Sequence, residues 1–209
     1  SLYTQFNITL TPEGLYNGST LNMKDTVKAY LRNSVSPFAV VDSAKSVIDS
    51  VSFTAPFVFK NANTGNYYIQ IVHRNALETW SKNGGESLTK GITANYDFTF
   101  DQTQAFGSNL VLKNSKWCLY SGDVIVNGIV DLADVLEIYN RSSEFAAGYI
   151  VSDLTGDGLT DLSDLILGFN NAASFVSAIT PSSSPSDLQN IKKRLESEFM
   201  EFSKVDNSR

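Results

Sequence analysis

Two runs of oxygen-bearing side chains stand thirty residues apart. Asp123, Asn127, Asp131 and Asp134 occupy positions 1, 5, 9 and 12 of the first run, and Asp153, Asp157, Asp161 and Asp164 occupy the same positions of the second. Gly128 and Gly158 fall at position 6. Hard oxygens at this spacing wrap one Ca2+, and the glycine makes the sharp turn the loop needs. The predicted ligands of the second loop are Asp153, Thr155, Asp157, the Leu159 carbonyl, Asp161 (through water) and Asp164. The first loop has Asp123, Asn127, the Ile129 carbonyl, Asp131 and Asp134. Its position 3 is Ile125, which offers no side-chain oxygen, so it is the weaker site. Aspartate also favours turns and helix N-caps. A purely structural reading therefore stays open, more so for the first loop.

Charge follows the repeat. Residues 122–164 hold nine acidic residues and one basic one, while residues 1–121 hold eight acidic and ten basic, and the rest is balanced. The net charge of −6 thus comes from the loops. Crowded carboxylates repel, and a divalent cation would relieve that.

The register runs on past the loops. Leu132 matches Leu162, Leu136 matches Ile166, Tyr139 matches Phe169, Asn140 matches Asn170 and Phe145 matches Phe175. The apolar positions fall near helical spacing, so a short helix is expected after each loop. The two helices are expected to bury these stripes against each other.

On these residues, about 121–181, the chain resembles a dockerin domain, the calcium-binding module that plugs into cohesin domains in secreted assemblies. Aspartate at position 12, as in Asp134 and Asp164, is that family's habit. The resemblance implies structural Ca2+ and a protein partner. It places the partner contacts on the helices and at positions 10 and 11, here Leu132-Ala133 and Leu162-Ser163. Ile125 and Thr155 depart from the usual Asn or Asp at position 3. The pairs at positions 10 and 11 are more apolar than the common Ser-Thr, as would suit a hydrophobic partner groove.

Residues 1–120 read as β. Phe6, Ile8 and Leu10 alternate with polar neighbours, the period of a half-buried strand. Thr26 to Leu31 is a second candidate, and Val47 to Phe59 a third, interrupted by Pro56. Tyr67 to His73 is apolar on both faces and is expected to be central. Tyr96, Phe98 and Phe100 alternate again, and Asn109 to Leu112 and Lys116 to Tyr120 close the set. Seven or eight short strands predict a sandwich. Gly14-Leu15-Tyr16-Asn17, Tyr67-Tyr68-Ile69 and His73-Arg74-Asn75 are similar to a β-sandwich found upstream of dockerin-like repeats in secreted bacterial proteins. That resemblance implies an accessory domain and no chemistry. The fold class expected is mostly β with a small α part. An antiparallel β-sandwich (1–120) precedes the calcium loop-helix pair (121–181) and a linker with an amphipathic helix (182–209). Ser186 and Gln189 read as that helix's capping box. Leu188, Ile191, Leu195, Phe199 and Phe202 form its apolar face, to be buried on the chain's own body or on a neighbour.

Other candidates are weaker. His73 has no second His and no paired nucleophile, so a packed, hydrogen-bonded strand-end residue is expected. Cys118 is expected to be a small core residue and can form no intrachain disulfide. Glu78 and Glu86 could mimic a glycosidase acid pair. Tyr16, Tyr67, Tyr68 and Trp80 could form an exposed row that stacks on sugars. No apolar run is long enough to span a membrane, and the acidic balance argues against nucleic acid. The chain opens on Ser1, as expected of a processed or truncated N-terminus, with no visible signal peptide. Weak calcium loops suit the near-millimolar calcium outside cells. The expected function is a non-enzymatic, secreted or cell-surface bacterial assembly protein, a homo-oligomer or filament subunit. The alternatives are an anchoring module for a cohesin-like partner and a carbohydrate-binding sandwich.

Overall fold

In the computed structural model, which describes residues 3–206, ten strands precede three α-helices. β1 (Thr4–Thr9) buries Phe6 and Ile8 on one face. It pairs antiparallel with β4 (Thr54–Phe59) and parallel with β8 (Thr93–Asp97). The second sheet centres on β2 (Asp25–Asn33) and β5 (Gly65–His73). β3 (Val40–Ile48) forms one edge, and β6 (Thr79–Trp80) and β7 (Glu86–Leu88) pair with the far side of β5. β9 (Val111–Lys113) and β10 (Lys116–Cys118) form a separate hairpin. Phe6, Ile8, Phe57 and Phe59 from the first sheet meet Val27, Ala29, Leu31, Ile69 and Ile71 from the second in one core. Alternation supplies those inward residues, as a half-buried strand requires.

β5 is interior, which matches its two apolar faces. Several local expectations need correction. The antiparallel sandwich contains one parallel pair, β1–β8; strands this far apart in sequence are free of the hairpin constraint that forces antiparallel pairing. The stretch 47–59 is the end of β3, a turn and then β4; the Asp49 carboxylate accepts from the Val51 and Ser52 N–H groups and closes that turn. Pro56 lies within β4, an edge strand, where a missing N–H is tolerated. Phe100 lies beyond β8 and is exposed, so the alternation ends at Phe98. Tyr16, Tyr67, Tyr68 and Trp80 are all buried, so they form no exposed row for sugars. Tyr68 and Trp80 meet edge to face at 6.0 Å instead. Cys118 is buried as expected, and burial pushes its thiol up to about 11.

α1 (Leu132–Ser143) and α2 (Leu162–Ala173) each follow one of the oxygen-rich loops. They pack through Ile138, which sits where a Cβ on Gly168 would collide with it. Below them Val124, Ile138 and Leu154 form one small core, and Val130, Ala172 and Val176 join Leu77 from the sandwich in another. The stripes expected to bury each other do not. Leu136, Tyr139, Leu162 and Ile166 remain at least half exposed, because the helices dock through their opposite faces.

α3 (Pro185–Asp206) begins two residues earlier than expected. Its cap is Ser184, whose Oγ accepts from the Asp187 N–H at 3.1 Å, and Pro185 takes the first helical position. Leu195 is buried, and Phe199 packs on Phe169 and Phe175 of the same chain. This helix therefore lies on its own chain. No helix among the described residues is long and apolar enough to cross a membrane.

Candidate functional site

The two loops are wired alike. At position 1, Asp123 accepts from the Asn127 and Gly128 N–H groups, both at 2.9 Å. Asp153 accepts from Gly156 at 2.7 Å and Gly158 at 3.0 Å. At position 12, Asp134 accepts from Ile125 and Asp131. Asp164 accepts from Leu154, Thr155 and Asp161, each at 2.8 Å. Asp131 and Asp161 are the N-caps of α1 and α2 and form capping boxes with Asp134 and Asp164. The side chains of Asn127 and Asp157 each accept from the N–H at position 7, Ile129 or Leu159. Ser152 Oγ bonds Thr160 Oγ1 just outside the second set.

Every predicted side-chain donor except Thr155, whose hydroxyl lies 3.4 Å from Asp153, thus makes a clear turn, loop or cap bond. These bonds do not exhaust the carboxylate lone pairs. Asp123, Asp134, Asp153 and Asp164 are all buried, and none of them pairs with Lys or Arg among the described residues. Burial pushes the Asp134 carboxyl up to about 6, with the Asp123 and Asp131 charges adding to the rise. Asp164 is raised by burial and by Asp153. Buried like charges without a basic partner fit a hard cation. No three His, Cys, Asp or Glu side chains among the described residues converge as a ready metal cage.

The loops differ at positions 3 and 4. Ile125 is 48% exposed, while Thr155 is half-buried. Val126 adopts φ 57° where Gly156 adopts φ 72°. A β-branched residue in that left-handed region is strained, and glycine is not.

The uncovered stripes of α1 and α2 form a groove. Leu132, Leu136 and Tyr139 on one side face Leu162, Ile166 and Phe169 on the other, with Phe202 of α3 at one end. Its volume is about 570 Å³, and no charged residue lines it. Leu162 is 64% exposed and Leu136 58%. Apolar surface gathered like this on an exposed face is a mark of interaction sites.

The remaining candidates have structural partners. Glu78 accepts from the Trp80 indole N–H, and Glu86 pairs with Lys82 at 3.3 Å. His73 is packed at a strand end as expected, but its partner is Asp25. The sequence did not reveal that cluster. The Asp25 carboxylate meets His73 Nε2 at 3.1 Å, Arg74 Nε at 2.8 Å and the Tyr149 hydroxyl at 2.5 Å. Arg74 also stacks on the Tyr149 ring and donates to the Ile150 carbonyl. The cluster ties the sandwich to the approach of the second loop. No spacing signal links residues 25, 73 and 149; only the fold brings them together.

No protein-family model matches this chain, and no curated protein matches it. The solved structures that resemble it include two crystal structures of type II cohesin–X-dockerin complexes from Acetivibrio cellulolyticus. One is a C-terminal interface mutant, at 18% identity and a TM-score of 0.46. The other is an N-terminal interface mutant, at 18% identity and a TM-score of 0.48. Each match covers 80% of this chain and 94% of the other.

Proposed function

We propose that this chain is a non-enzymatic extracellular assembly protein. Its dockerin-like pair of loop-helix units (121–181) holds structural Ca2+ and presents the apolar groove to a protein partner. The observation that carries this reading is the groove itself, a repeat-matched pair of apolar stripes left open by helices that dock through their other faces. The cation's role is to neutralise the Asp clusters and fix the two loops, and hence the spacing of α1 and α2.

The preferred partner is a second copy of the chain, in a homo-oligomer or filament. A head-to-tail contact need not close and can grow. The exposed Met200 and Phe202 extend the apolar surface in favour of such contacts. The test is particle size by light scattering behind a sizing column, in calcium and in chelator. Large particles in calcium that fall to monomer in chelator support self-assembly, and Leu162→Asp should dissolve them. Leu162 is exposed, so the variant should fold. Particles unchanged by Leu162→Asp would rule out the groove as the contact. A monomer in both conditions would favour the anchoring alternative, with a separate, cohesin-like partner.

Ile125→Asn provides a second check. The side chain is half exposed, so the change should cost under about 0.5 kcal/mol of stability. It restores an oxygen at position 3 and should tighten the first site in a calorimetric calcium titration. An unchanged titration would remove the first loop from the metal sites.

A further inference from the structure

The sandwich grips positions 1 to 4 of the second loop, while it meets the first loop at Gly122, whose N–H donates to the Asn75 carbonyl, and at Val130, which packs on Leu77. The Asn75 amide donates to the Val151 carbonyl at 3.0 Å and to the Asp153 carbonyl at 2.9 Å. The Asn22 amide donates to the Thr155 carbonyl at 2.8 Å. Gly14 lies so close to the Leu154 carbonyl that a Cβ there would collide with it. Leu15 and Met23 close over Gly156 in the same way. Positions 1 to 4 of the second loop are therefore fixed by residues far away in sequence. Asp123 and Ile125, at the matching positions of the first loop, receive no such bond to their carbonyls among the described residues, and Ile125 and Val126 face solvent.

We infer that Asn75 and Asn22 are positioning residues for a cation in the second loop, and that the sandwich presets that loop before the cation arrives. This rests on the calcium reading above. The carbonyls they hold belong to positions 1 and 3 and to Val151, while the carbonyl ligand of such a loop is at position 7. The clamp therefore shapes the loop without competing for the ion. A loop held in its bound shape loses less conformational freedom on binding, so its affinity rises. The sandwich becomes a determinant of which loop fills first.

The test is a calorimetric calcium titration of the full chain and its Asn22→Ala, Asn75→Ala and Asp164→Ala variants. Asp164→Ala should remove the tighter site. Each Asn variant should weaken that site roughly three- to ten-fold, the worth of one or two hydrogen bonds, and leave the weaker site unchanged. Asn22 is exposed, so its variant keeps the fold even if Asn75→Ala does not. If Asp164→Ala loses a site while Asn22→Ala titrates like the parent, the clamp is refuted and the calcium reading stands. If Asp164→Ala also titrates like the parent, the calcium reading itself fails.

Discussion

Replacing Asp25 with alanine should lower the melting temperature by on the order of 10 °C. The side chain is fully buried and is the shared acceptor of His73, Arg74 and Tyr149. Removing one partner of a buried charge pair costs about 3–5 kcal/mol, because the other charge stays buried and unpaired. For a chain of this length, about 1 kcal/mol shifts the midpoint by about 2–4 °C. Asp25→Asn keeps the shape and should cost less. The same cluster sets an acid limit. Burial pushes the Asp25 carboxyl up, but the His73, Tyr149 and Arg74 contacts outweigh it and hold it well below the usual carboxylate range. A lowered folded value means that the stabilisation is fully present above the ordinary value of 3.8 and is lost as the pH falls from there. Thermal melts from pH 7 to pH 3 should show the parent losing stability faster than the variant below about pH 4. Parallel losses would mean that Asp25 does not set the acid limit.

Asp164→Ala should lower the midpoint about twice as far in calcium as in chelator. Even without a cation, Asp164 accepts three backbone N–H bonds at 2.8 Å, from Leu154, Thr155 and Asp161. Truncation strands those donors and costs on the order of 3 kcal/mol in either buffer. In calcium at about 100 times the dissociation constant, about 2.7 kcal/mol of binding stabilisation is lost as well. Differential scanning calorimetry in both buffers separates the two parts. Equal falls would leave Asp164 as a helix-capping and loop-wiring residue and nothing more.

The second loop and its helix were legible because their information is local. The carboxylate spacing, the glycine at position 6 and the cap residue all lie within about a dozen residues. The hydrogen bonds of Asp153 and Asp164 join residues within that span, whereas the grip of Asn22 and Asn75 on it does not. Strand alternation likewise revealed β1, and the run apolar on both faces revealed β5. β3 was missed because its middle is small and polar, with the strand on a sheet edge. The sugar-stacking row was misplaced because an aromatic on a strand looks the same whether its face meets solvent or a second sheet.

The sequence by itself determined the two repeat units, the acidic charge that comes with them and the β character of the first half, since all three depend on neighbours along the chain. Only the tertiary structure decided which side of each helix is buried. Leu136, Tyr139, Leu162 and Ile166 have the periodicity of a core stripe, yet Ile138 over Gly168 holds the helices together and leaves that stripe open as a groove. Likewise Asp25, His73 and Tyr149, or Asn75 and Asp153, meet across 48 to 124 residues of chain. Helical period marks an apolar face but not what covers it, and contacts closed over such distances are fixed by how the sheets and helices pack.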